Sequence, residues 1–267
     1  MKIRNESAVS PVIAVMLMLV VTIIIAAVVS AFAGGLTGGH QKAPQLTMDV
    51  HISNNGYWSG SAFSARVTGV ESAIPTSDLE ITTHWVHTNR SDGIRTEGGE
   101  IVVPGQNNTF LHWSPWRGAS NMGDYYGVAP WGYGMGVGDQ EASAGTGSGQ
   151  GYQPTNFFGN YSLAVGTVMW AEPFGANTRP TAGGYSGVAY DIGYGVGGHP
   201  FSYTYGDSRS CNGGDCAHLY QGVNTDGLMA VLGQNWSVLR AGDIVTVGIT
   251  HIPSGATIWQ KDVTVED

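Results

Sequence analysis

The residues best suited to chemistry are two cysteines, Cys211 and Cys216, set close together in "CNGGDC". In an extracellular protein, a disulfide closing this glycine-bearing loop is their simplest use. The alternative is a metal site that adds Asp215 and His218, but Cys-x4-Cys-x-His is a poor zinc spacing. His84 and His87 in "HWVH" are three apart, which on a strand puts them on opposite faces and keeps them from one metal. "GYGVGG" (Gly193, Gly195, Gly198) has the outline of a dinucleotide loop without the amphipathic helix that must follow it. "NTDG" (Asn224 to Gly227) reads as a turn rather than a calcium loop. Neither G-x-S-x-G nor H-E-x-x-H occurs, and the carboxylates are dispersed. The expectation is a protein with no catalytic, cofactor or metal residues.

Modification is the other chemistry on offer. Asn89, Asn107, Asn160 and Asn235 each open an N-x-S/T sequon in a loop or at a strand edge. Outside the cell these are acceptors for N-linked glycans, and some are expected to be used. Trp236 beside Asn235 threatens to bury that site. Asn5 also matches but lies in the charged N-terminal stretch.

The elements that must position these residues begin with an uncharged segment, Ala8 to Gly35. From Ala8 to about Ala33 it would rise about 39 Å as a helix, more than the hydrocarbon core of a bilayer. Lys2 and Arg4 precede it and hold the N-terminus on the cytoplasmic side, so the body lies outside. Ser10 is a good N-cap and Pro11 a natural first helical residue, while Gly34, Gly35, Gly38 and Gly39 form a soft stop. "AFAG" (Ala31 to Gly34) fits a signal-peptidase site, yet the apolar run is much longer than a signal core. A plain membrane anchor, uncut, is a third reading.

"AVSPVIAVMLMLVVTIIIAAVVSAFAGGL" resembles the N-terminal segment of archaeal type IV pilins. "AGDIVTVGITHIPSGATIWQKDVTV" (Ala241 to Val265) is, more weakly, similar to their closing hairpin. The resemblance implies a leader over residues 1–7, cut by a prepilin peptidase between Ser7 and Ala8. It implies a helix over 8–36 that waits in the membrane and is then drawn by assembly machinery into a filament, where copies of the helix pack as the core. The surface localisation, adhesion or cell contact, and a homopolymer follow from the same resemblance.

Beyond a linker at 37–45, residues 46–267 read as a β-rich extracellular head. "LTMDVHIS", "SAFSARVTGV" and "LEITTHWVHT" alternate apolar and polar residues as half-buried strands do. "GEIVVPG", "NTFLHW", "YSLAVGTVMWAE", "GLMAVLG" and "WSVLRAGD" are further strand candidates. "DIVTVGITHI" and "ATIWQKDVTV" make a hairpin around "PSG". The fold class expected is mainly β with one long N-terminal α-helix, the head sandwich-like. Two Gly-aromatic stretches, Asp124 to Asp139 and Tyr185 to His199, interrupt the strands. They are expected to fold back over the core, or to offer Tyr and Trp to a neighbouring subunit or to sugars.

The chain has 267 residues, 41 of them Gly, and a net charge of −9, which excludes a nucleic-acid partner. A structural pilus subunit is the function expected. A membrane-anchored or secreted surface protein that binds carbohydrate is the alternative, with surface glycans as its partners.

Overall fold

Strand β1 (Leu46–Ser53) shows why the body is a sheet: Leu46, Met48, Val50 and Ile52 are buried while Thr47, Asp49 and His51 are exposed. A period of two on a pleated strand gives one apolar and one solvated face. β2 (Ala62–Val70) repeats it with Phe63, Ala65 and Val67. The protein is described by a computed structural model over residues 11–37, 42–112, 124–138, 156–178, 190–205 and 223–267. The chain divides into two compact units, Met1–Lys42 and Ala43–Asp267.

The second unit is mainly β. After β2 come β3 (Ile74–Pro75), β4 (Leu79–Thr88), β5 (Arg95–Gly98), β6 (Ile101–Val102), β7 (Thr109–His112), β8 (Asp124–Gly127) and β9 (Trp131–Tyr133). Then follow β10 (Ser162–Leu163), β11 (Val168–Ala171), β12 (Gly175–Thr178), β13 (Tyr190–Tyr194), β14 (Tyr203–Thr204), β15 (Ile244–His251) and β16 (Ala256–Glu266). Among the described residues, one nine-stranded sheet dominates, in the order β5-β4-β15-β16-β1-β2-β11-β9 with β6 also on β4. Three small sheets accompany it: β10-β3, β12-β13-β14 and β7-β8. The head is mainly β as expected; the described residues form one dominant sheet with small satellites, and the expected sandwich of two sheets is not shown.

The C-terminal hairpin pairs β15 with β16 antiparallel around the turn at Pro253 to Gly255. Its last strand then lies parallel to β1, Ile52 opposite Val265. β4 completes this half of the sheet by pairing with β15 from Leu79↔His251 to Trp85↔Val245.

Three strand expectations are corrected. "GLMAVLG" is helix α2 (Gly227–Leu232), every residue of it buried. Asp226 caps it by accepting the Met229 N–H at 2.9 Å, and Gly233 ends it at φ +87°. The run has no polar residue from which a period could be read, so only the caps reveal the helix. "WSVLRAGD" holds a 3-10 turn at Trp236–Val238 instead of a strand, with Trp236 fully buried. "YSLAVGTVMWAE" is two strands, β10 and β11, split by a turn at Ala164 to Thr167. "GEIVVPG" and "NTFLHW" supply β6 and β7 on either side of a turn at Pro104 to Gln106, and these strands pair with β4 and β8 respectively.

α2 covers the apolar face of the sheet. The Leu232 and Val231 carbonyls accept from Trp85 Nε1 at 2.7 Å and Thr83 Oγ1 at 2.6 Å, which ties the helix to β4. The described part of the second Gly-aromatic stretch folds back onto the same core: Ile192, Tyr194 and Val196 are buried. Tyr194 donates to Asn54 Oδ1 at 2.6 Å, and its ring lies 4.5 Å from that of Trp236. Asp226 Oδ2 accepts from Tyr203 Oη at 2.6 Å and from the Phe174 N–H at 3.0 Å. One buried carboxylate thus joins α2, β14 and the approach to β12.

Glycine permits a close approach of backbone to backbone at Gly99. It sits at φ +141°, and a Cβ there would lie 2.0 Å from the Thr83 carbonyl oxygen. Gly99→Ala is expected to destabilise the head by about 2 kcal/mol or more, read as a lower urea midpoint. Burial raises the Asp226 carboxyl from 3.8 to about 6, against the opposing pull of its hydrogen bonds from Tyr203, Met229 and Phe174. A raised folded pKa means that the folded state holds a proton which the unfolded chain releases. The stabilisation is therefore full below about pH 4 and lost as pH rises through 6, on the order of 3 kcal/mol. Urea unfolding of wild type and Asp226→Asn across pH 4 to 7 should show wild type losing stability relative to the variant over that window.

Candidate functional site

Two regions of the chain have surfaces that call for a partner. The first is helix α1 (Pro11–Thr37), 27 residues of continuous helical backbone. Its side chains are described from 15 to 30, and every one of those residues is exposed. Val15, Met18, Ile23 and Val29 are 67%, 71%, 59% and 59% exposed, so apolar surface faces outward at several angles around the axis. No charged residue occurs in this stretch. Thr22 donates its hydroxyl to the Leu19 carbonyl at 2.9 Å, so this polar side chain is satisfied within the helix. A helix apolar all round is stable only when covered by lipid or by other helices. Over the described residues, no helix is long and apolar enough to cross a membrane.

Helix α1 is described from Pro11 onward, so where it starts lies outside the described residues. Ser7, Ala8 and Ser10 lie outside the described residues, as do Cys211 and Cys216. The proposed cut, cap and disulfide are therefore untouched by the geometry.

The sequons are spread over the head. Asn107, Asn160 and Asn235 are exposed, and Trp236 turns inward without taking Asn235 with it. Asn89 differs. It is half-buried in the β4–β5 turn, where its Nδ2 donates to Asp92 at 3.2 Å and its Oδ1 accepts from the Ser91 N–H and hydroxyl.

The second region is a cleft of about 420 Å³ between that turn and the segment Val238 to Asp243. His87 and Asp243 meet in it, Nδ1 to Oδ2 at 2.7 Å, and the Arg240 N–H donates to the same oxygen at 2.7 Å. His84 is exposed on the other face of β4, so the two histidines are separated as their spacing predicts. Among the described residues no group of three metal-ligating side chains is assembled. Sequence reasoning missed this cleft because His87 and Asp243 are brought together only by the pairing of β4 with β15.

No curated protein and no solved structure matches the chain. Residues 7–48, which carry α1, the link to the head and the first residues of β1, match the family model described as archaeal type IV pilin, N-terminal. Over that segment the chain is similar to archaeal type IV pilins.

Proposed function

We propose that the chain is a structural, non-catalytic subunit of an archaeal type IV pilus, a cell-surface filament for adhesion or cell contact. The observation that carries this reading is the outward-facing apolar surface of α1, lying inside the segment that matches the pilin family. A prepilin peptidase removes residues 1–7 by cutting between Ser7 and Ala8. The freed helix, with Ser10 as its cap, stays in the membrane with its N-terminus cytoplasmic until the assembly machinery draws it into the polymer. Copies of residues 8–36 then cover one another. The small side chains of Ala26, Ala27 and Ser30 suit close helix contact. Residues 46–267 form the outer wall, with the Cys211–Cys216 loop closed by a disulfide outside the cell.

Glycans on the head belong to the same proposal. Asn107, Asn160 and Asn235 present themselves to an oligosaccharide transferase. Asn89 holds its amide nitrogen in a turn that must open before it reacts.

Peptide mass spectrometry of the native surface protein should find Ala8 at the N-terminus. A start at Gly34 would mean the helix was discarded, and an intact Met1 would mean an uncut anchor; either result ends the filament reading. Val20→Lys or Ile24→Lys should abolish filaments, since an unpaired charge is not tolerated in an apolar core. Normal filaments from either variant would remove the helix from the core. Glycopeptide analysis should find occupancy at Asn107, Asn160 or Asn235 exceeding that at Asn89, and an intact mass equal to the bare chain would exclude glycosylation.

A further inference from the structure

The first Gly-aromatic stretch runs into a turn that the core does not cover. β9 ends at Tyr133, and the chain turns through Gly134, Met135 and Gly136. This turn is docked on the one at Ala164 to Thr167 that separates β10 from β11. The Thr167 hydroxyl donates to the Met135 carbonyl, and the Ser162 N–H donates to the Gly136 carbonyl at 3.0 Å. The Met135 side chain lies over Gly166, its Cγ 3.8 Å from where a Cβ would stand there. The two turns thus make one fixed surface, and what it presents is apolar: Met135 is 67% and Val165 56% exposed. Residues 131–138 and 161–171 hold no charge.

The sheet fixes where this surface lies. β2 runs antiparallel to β1 with Val70 opposite Leu46, and the Gly166 N–H donates to the Val67 carbonyl. β11 and β9 come next in the sheet, Val168 opposite Arg66 and Tyr133 opposite Val168. Both turns therefore stand at the end of the sheet where β1 begins, about 10 and 15 Å across it from β1 at ordinary strand spacing. β16 is parallel to β1, so the β15–β16 turn stands at the same end. That turn, Ile252 to Gly255, is also uncharged, and Ile252 is 48% exposed. Glu71 follows β2 and Asp78 precedes β4 at this end, and neither lies in the three turns. The opposite end is different in kind: Arg90 and Asp92 follow β4 there, with Asp243 and Glu266 beside the end of β1.

Only residues 38–45 join α1 to β1, a link that spans at most about 30 Å when fully extended. In the pilus reading, lipid covers α1 before assembly. Uncharged turns tipped with Met, Val and Ile suit the boundary between headgroups and acyl chains, where backbone still meets water and the side chain meets hydrocarbon. A short tether raises the local concentration, so a few side chains suffice where a free head would not bind. We propose that this end of the head is a bilayer-docking surface, with Met135, Val165 and Ile252 inserted among the lipid headgroups while the chain waits in the membrane. It rests on the membrane residence of α1 in the pilus reading.

The test uses the full chain with methyl-labelled methionine, in phosphatidylcholine nanodiscs with and without spin-labelled phosphatidylcholine, read by NMR. Met135→Leu assigns the Met135 signal. Met16 and Met18 report on the helix, and the buried Met229 on the interior of the head. The spin label is expected to remove more than half of the Met135 intensity and to spare Met229. Val165→Asp combined with Ile252→Asp should restore Met135 while Met16 and Met18 stay broadened and Met229 stays unmoved. Val165→Ser with Ile252→Ser takes its place if Met229 shifts. Met16 and Met18 untouched by the label would end the membrane reading, and the docking surface with it. Those two broadened with Met135 intact would overturn the docking surface alone. Met135 still broadened in the double variant would mean that the tether alone brings it near lipid, and would overturn the role of the apolar turns. Met135 intact in nanodiscs but shifted on filament assembly would give the surface to a neighbouring subunit and overturn the bilayer as its partner.

Discussion

The head depends on one buried carboxylate. Asp226 stands at the start of a helix with no exposed residue, and each of its oxygens accepts from the protein. Without it, the Met229 and Phe174 N–H groups and the Tyr203 hydroxyl would lose their acceptor in a place water does not reach, at about 1–3 kcal/mol for each buried group. The loss would spread, because α2 is what covers Trp85 and Thr83 on β4, and Tyr203 is what receives the Trp236 indole N–H. A short helix of six residues has little stability of its own. Its place in the core comes from its cap and from the sheet beneath it.

The same network explains the Gly-aromatic composition. Around Tyr194 and Tyr203, large rings crowd against backbone, and a ring can lie that close only where a neighbour has no side chain. Gly175 lies under the Trp58 ring, and Gly56 under Phe201. In Gly98–Gly99, the first residue faces the Trp85 ring and the second the Thr83 carbonyl. The aromatic residues of this half of the head are therefore largely packing, and Phe201 lies against the Arg240 guanidinium.

Much of this was legible in the sequence, and the exceptions have physical causes. β1, β4 and the closing hairpin could be read because one of their faces meets water, which writes an alternating pattern into the residues. α2 could not, since a segment buried on all sides has no reason to alternate at any period. The N-terminal helix was legible from length and lack of charge alone. The cleft was not: His87 lies near the end of β4 and Arg90 in the turn after it, Arg240 and Asp243 come some 150 residues later, and only the pairing of β4 with β15 joins them. Nor does any local signal announce that β16 will lie parallel to β1, because that pairing is set by the sheet as a whole.

That parallel pairing has a mechanical consequence. A pull entering at Leu46 runs along β1, and a pull on the end of the sheet where β1 finishes acts along the same strands. β1 is antiparallel to β2 over its full length, with β16 on its other edge. Such a load meets the hydrogen bonds of the β1–β2 ladder side by side, in shear, and they must fail together instead of one after another. A sheet held at that end while Leu46 is dragged is thus built to resist being drawn out into a thread.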